Sequence, residues 1–224
     1  VEIDYSLATN LFVIFGYSGI RKIGDLNILC EKIPNFYYST SLKEVGSYTY
    51  IGTTFNSNDN SSIEVIGDVN CPNATISKQS FKTSRNLRKV GFMNFPNVTD
   101  ASEMFRQNYS LKSFNGNFDS VQNIRYMFED CPSLRSVVFS NLSNVNSISA
   151  LFSKCYSLAE LRVPNIATTF DLTNCNLDSA ALVQVFNDLG TTTATLTITG
   201  NIGVASLTAT DLLIATNKGW TIVQ

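Results

Sequence analysis

The 224-residue chain contains no histidine, and that absence removes more chemistry than any other feature of its composition. Histidine is the commonest general base near neutral pH and the commonest nitrogen ligand for metals. Serine–histidine–aspartate and cysteine–histidine mechanisms are therefore excluded within the chain. The five cysteines, Cys30, Cys71, Cys131, Cys155 and Cys175, are odd in number and never form a C-x-x-C pair. That argues against a structural zinc site and leaves the redox compartment open. Charge is scarce too, at 15% of residues with a net of −2. No basic run exceeds Arg21-Lys22 or Arg88-Lys89, so the linear sequence carries no footprint for a phosphate backbone, and nucleic acid is not an expected partner. The longest apolar run, Leu11 to Phe15, is about one strand, against the roughly 20 residues that cross a bilayer. Membrane insertion is not expected. Val1 stands where an initiator Met would, so the chain is read as a fragment or processed product, with any signal or anchor upstream.

What the chain does have is a repeat. Leu87, Leu111, Leu134 and Leu158 are 24, 23 and 24 residues apart, and six residues before each stands Phe81, Phe105, Phe128 or Phe152. Val90, Phe114, Val137 and Leu161 follow three after the Leu, and Phe92, Phe139 and Val163 two later. Next come Val98, Val121 and Val145, then Ala101, Ile124 and Ile148, then Met104, Met127 and Leu151. An earlier copy starts at Phe36, with Leu42 and Val45; residues 46–80 keep the pattern loosely, and 52–62 read as a polar excursion.

A unit of this length cannot bury its apolar side alone, so copies must stack around a continuous core. Alternation after each Leu predicts a strand with Val90, Phe92, Phe114, Val137, Phe139, Leu161 and Val163 inward. Lys89, Ser113, Asn115, Ser136, Val138, Glu160 and Arg162 then face solvent along one sheet, and that row is the expected ligand face. The spacing by three that follows predicts a short helical return, with Thr99 and Asp100 as caps for the first. The fold class expected is α/β: a leucine-rich-repeat solenoid of 23–24-residue coils, each a strand plus a short helical return, closed by a helix-strand-helix-strand C-terminal cap.

Three regions follow: 1–35, an N-terminal cap or the remnant of an upstream domain; 36–175, the solenoid; and 176–224, the cap. In the cap, Asn176 to Leu189 predicts a helix stopped by Gly190, Thr195 to Thr199 a strand, Thr208 to Thr216 a helix, and Trp220 to Val223 a closing strand. Trp220 reads as a core plug. Three residues after each Phe stand Ser39, Ser84, Asn108, Cys131 and Cys155, small polar side chains suited to satisfying backbone groups where each coil turns inward.

Segments such as LKSFNGNFDSVQNIRYMFEDCP (Leu111 to Pro132) and LRSVVFSNLSNVNSISALFSKCY (Leu134 to Tyr156) resemble the BspA-type leucine-rich repeats. The stretch from Leu177 to Val223 is similar to the cap that closes such repeats in bacteriophage virion proteins and some bacterial surface proteins. The resemblance implies a surface-exposed, non-enzymatic binding or structural module without cofactor. The first expectation is a phage fibre, tail-associated or capsid-decorating protein on the virion surface, contacting a protein or glycan receptor of the host and other virion proteins, with a homo-oligomer such as a trimer in keeping. The alternative is a bacterial cell-surface adhesin for a host or matrix protein.

Other features carry less. Glu129 with adjacent Asp130, and Glu103 one coil earlier, are carboxylates that could act on sugars, and they read as a solvated turn. Gly200 to Gly203 lacks the Lys and Ser/Thr of a phosphate loop and reads as a turn. N-x-S/T matches at Asn60, Asn73, Asn97, Asn108 and Asn141 read as by-products of composition. Tyr109, Pro132 and Tyr156 fall at equivalent positions, and Tyr109 and Tyr156 are expected edge contacts.

Overall fold

The computed structural model describes residues 19–30, 41–55 and 62–224, with strand 26–30 described by its backbone. The run at Leu11 to Phe15, the early repeat positions Phe36 and Ser39, and residues 56–61 of the polar excursion, with Asn60, lie outside the described residues.

Each turn of chain lays a short strand beside the previous one, always parallel. One sheet has the order β1 (Lys22–Ile23), β3 (Glu44–Val45), β5 (Val65–Ile66), β7 (Lys89–Val90). A second runs through β2 (Leu26–Cys30), β4 (Tyr48–Tyr50), β6 (Val69–Asn70), β8 (Phe92–Asn94), β9 (Ser113–Asn117), β10 (Ser136–Phe139) and β11 (Glu160–Arg162). Residues 22–30 thus pair in the same two ladders as the later coils.

Two sheets exist on this side because a glycine interrupts the early coils. Phe92 pairs with Asn115 and Met93 with Gly116, which leaves Gly91 as an extra residue between Val90 and the second strand, a bulge-like insertion. A Cβ on Gly91 would lie 2.6 Å from a Gly67 backbone carbon, and one on Gly67 2.6 Å from Gly46, so only glycine fits this column. Asp25 Oδ1 accepts from the Ser47 N–H and Asp68 Oδ1 from the Phe92 N–H, at 2.7 Å each, bridging the interrupted ladders. The insertion also corrects the expected facing of one residue. Phe92 is not inward but 42% exposed, and Met93 takes its place in the core.

The expected α/β solenoid with helical returns is overturned by the described return segments between residues 41 and 165, none of which is helical. Ala101, Glu103, Phe105 and Gln107 donate their N–H groups to Asn123, Arg125, Met127 and Glu129 of the next coil, at 2.8–2.9 Å. Between them, Met104 donates to Ala101 and Asn108 to Phe105, closing four-residue turns. Glu103 and Gln107, Tyr126 and Asp130, and Ala150 and Lys154 have φ between 54° and 62°. An α-helix needs unbroken right-handed residues bonded four back. A left-handed residue twice per coil forbids that and costs about 1–2 kcal/mol each, offset by the inter-coil bonds it allows. The spacing by three was the period of tandem turns. Isolated parallel bridges at Thr54, Ile76, Asp100, Asn123 and Ser147 mark the same stacking.

Stacking aligns equivalent side chains into columns. Phe81, Phe105, Phe128 and Phe152 form a row with centroids 5.2, 5.6 and 5.9 Å apart and rings within 13° of parallel. A second aromatic column joins Phe55, Phe95 and Phe118. Rings at these separations add about 0.5–1.5 kcal/mol per pair beyond their buried area.

Among the described residues, helical returns occur only at the C-terminal end, where both α-helices lie. There β12 (Phe170–Asp171), β13 (Ala194–Thr197) and β14 (Trp220–Val223) form a third sheet, in the order β12-β13-β14, connected through α1 (Ser179–Asp188) and then through a short 3-10 turn (Val204–Ser206) and α2 (Ala209–Thr216). The expected helix-strand-helix-strand cap is corrected accordingly: a strand precedes α1, and the strands pair in parallel at 26-residue offsets. Asp178 caps α1 through the Ala181 N–H, and Thr208 with Asp211 forms a capping box on α2. Trp220 is buried edge-on to Phe170, with its indole N–H on the Gly190 carbonyl. Among the described residues no helix is long and apolar enough to cross a membrane.

Candidate binding face

The outward positions of the second sheet come together in register. Ser113, Ser136 and Glu160 are cross-strand neighbours, and Phe92, Asn115, Val138 and Arg162 form the adjoining column. Lys89, Ser113, Asn115 and Glu160 are exposed; Ser136, Val138 and Arg162 are half-buried. The Ser136 hydroxyl donates to Glu160 Oε2 at 2.7 Å.

Arg162 serves the fold. Its guanidinium makes a two-pronged pair with Asp188, Nε to Oδ2 at 2.9 Å and a terminal nitrogen to Oδ1 at 3.0 Å. The Asp188 carboxylate, 5% exposed, also accepts from the Val163 N–H and from Gln184. This locks α1 against β11, and the Asp188 hydrogen bond raises the Arg162 pKa against the opposing effect of burial.

Two features of this face lay outside the expected set. One is Phe92. The other is an amide ladder: Asn94 donates to Asn70 at 2.8 Å, Asn117 to Asn94 at 3.0 Å, and Ser140 to Asn117 at 3.2 Å. Its signal was present in the sequence, as Asn70, Asn94 and Asn117 recur at 24 and 23 residues. Tandem hydrogen bonds of this kind are typical of stacked parallel strands.

On the edge, Tyr156 is 58% exposed, whereas Tyr109 lies beneath the Arg85 guanidinium at 5.4 Å. Glu103 and Glu129 of the return are paired with cations rather than left to solvent. Glu103 accepts from Gln79 at 3.0 Å, Lys82 at 2.7 Å and Arg106 at 3.0 Å, and Arg106 Nε lies 2.6 Å from Glu129 Oε2. Burial pushes Glu103 up, but the hydrogen bonds from Lys82, Arg106 and Gln79 outweigh it and hold the pKa at about 2. Glu103 is therefore a committed anion, unsuited to proton transfer near neutrality.

The four described cysteines are buried free thiols. Cys131 and Cys155 donate to the Phe105 and Phe128 carbonyls at 3.1 Å, and the Asn108 amide spans Phe81 and Phe105. This is the turn-satisfying role that their position suggested. Burial pushes the Cys131 and Cys175 thiols up to about 12 and raises Cys71 and Cys155 as well, so none is a nucleophile. Among the described residues no group of three or more acidic or thiol side chains could hold a metal ion. The amides of Asn73 and Asn97 are engaged by the Ile51 and Pro72 carbonyls of the preceding coil.

A family model described as "Mycoplasma protein of unknown function, DUF285" matches residues 49–165, the segment from β4 to β11 and more than half of the chain. The chain belongs to this family. The matched DUF285 segment leaves out β1 to β3 and the C-terminal sheet. No curated protein and no solved structure matches the chain.

Proposed function

We propose that this DUF285 chain is a non-enzymatic binding module displayed on an external surface, and that the open face of the second sheet is its contact surface. The observation that carries the reading is Phe92, an aromatic side chain 42% exposed in a column with Asn115 and Val138. An exposed ring set on a rigid, otherwise polar sheet is the pattern of a contact anchor. The chemistry available elsewhere supports the same reading: no histidine, thiols raised by burial, and Glu103 held by three donors. Display on a bacterial cell is preferred, since the family description names a cellular genus. Attachment to a phage particle is the second reading, favoured by the likeness of the segment after Leu177 to virion caps.

The test is antibody labelling of intact cells and of purified particles. Labelling of the envelope without permeabilisation supports the preferred reading, and regular labelling of particles moves the assignment to the virion. Labelling only after permeabilisation removes the display reading altogether. On a surface bound by the labelled chain, Asn115→Arg and Val138→Arg are expected to reduce retention while Lys78→Ser does not.

A further inference from the structure

Backbone hydrogen bonds define a column that the linear sequence hides. Lys43 donates to Arg21, Glu64 to Lys43, Arg88 to Glu64, Lys112 to Arg88, Arg135 to Lys112 and Ala159 to Arg135, at 2.8–3.2 Å. These residues directly follow the buried leucine or isoleucine of each coil and line the rim where strands enter the sheet. One residue further on, Lys89 joins them on the outward face. Arg88, Lys89, Lys112 and Arg135 are all exposed.

We propose that Arg88, Lys112 and Arg135, with Lys89 beside them, form a binding strip for a linear acidic polysaccharide. This deepens the reading of the sheet as a contact surface and rests on it. In the earlier coils Lys43 of the rim pairs with Glu64, and Lys22 of the adjoining column with Glu44. Beyond Arg88 no such pairs follow. Arg88 shares Glu64 with Lys43 at 3.6 Å, and Lys89, Lys112 and Arg135 make no ion pair among the described residues. Like charges on adjacent strands, about 4.8 Å apart, repel each other, so the row opposes folding on a chain whose net charge is −2. The neighbouring Leu and Val or Phe positions already supply the core, and Ser113 and Ser136 show that serine suits the adjoining exposed column. A row of uncompensated cations is accounted for by an anionic partner.

The geometry selects among anions. The two columns contain no aromatic side chain on which bases could stack, against single-stranded nucleic acid. Same-face side chains of an extended acidic peptide recur at about 6.6 Å, out of step with the strand spacing. Successive linked pyranose rings advance by nearly the strand spacing, and the Ser113 and Ser136 hydroxyls border the strip as partners for sugar hydroxyls.

The experiment measures binding of the full chain to immobilised heparin, a linear sulfated polysaccharide, with neutral dextran, polyglutamate and oligothymidylate alongside. The expected result is heparin binding that weakens with salt and falls about tenfold, or ~1.4 kcal/mol, in Lys112→Ser/Arg135→Ser. The control Lys78→Ser/Lys154→Asn, with the same charge change on the return side, is expected to retain it. The strip variant is expected to melt no lower than the parent, so lost binding would not be lost folding. Equal losses in both variants, no heparin binding by the parent, or equal affinity for polyglutamate or oligothymidylate would each overturn the strip. None of these outcomes touches the display reading, which stands or falls on the labelling and the Asn115 and Val138 variants.

Discussion

Phe105 is stacked between Phe81 and Phe128 and meets Phe114 edge-on, with no solvent exposure. Truncation to alanine would open a cavity in the middle of a column whose neighbours are fixed by inter-coil hydrogen bonds and cannot collapse. Phe105→Ala is expected to lower stability by about 3–5 kcal/mol, measured by urea denaturation. Glu103 makes a different residue-scale prediction. Its folded pKa of about 2 lies below the ordinary 4.5, so its contribution is fully present above about pH 4.5 and lost as pH falls through 2. Glu103→Gln should therefore melt below the parent at pH 6, by roughly 1 kcal/mol given its partial exposure, and the two melting curves should converge near pH 2. A gap that persists at pH 2 would mean that the pairings with Lys82 and Arg106 contribute nothing as ion pairs.

At the scale of elements, the critical joint is between β11 and α1, where returns change from tandem turns to helices. Asp188 holds that joint by accepting from Arg162, Val163 and Gln184 at once, while Lys218 donates to the Phe186, Asn187 and Leu189 carbonyls at the C-terminal end of α1. Asp188→Ala leaves the Val163 N–H and the partly exposed Arg162 guanidinium without their acceptor and should cost about 1–3 kcal/mol. Limited proteolysis should then cut first between 176 and 200 and leave the 62–165 stack protected. This transition was partly legible: the apolar faces of α1 and α2 and their caps could be read from Leu182, Val185, Phe186 and Thr208. The non-helical returns were not legible, because apolar residues every third position fit a helical turn and a chain of tight turns equally well. Only the left-handed φ at Glu103, Gln107 and their equivalents separates the two.

For the molecule as a whole, each coil bonds mainly to the coils before and after it, so stability should be close to a sum over coils and their interfaces. Deleting 111–133, one 23-residue period, joins Ser110 to Leu134 and keeps every column in phase. That variant is expected to fold cooperatively with a lower melting temperature. Deletion of 111–122, half a period, places apolar residues in solvent and should abolish the cooperative transition seen by circular dichroism. The two outcomes together test whether the period, rather than any particular coil, carries the architecture.

The period itself, the buried Leu, Phe and Val columns, the small polar residue at each inward turn and the absence of histidine chemistry are properties of the sequence alone. They depend only on which residues recur at 23 or 24 positions and which types are present. The exposure of Phe92 and the basic rim were decided by tertiary structure. Gly91 is a single inserted residue whose effect on facing depends on the pairing of Phe92 with Asn115. Arg88, Lys112 and Arg135 are 24 and 23 residues apart along the chain, too distant to register as a charge run. Stacking brings them onto neighbouring strands, where electrostatic repulsion acts through space rather than along the sequence.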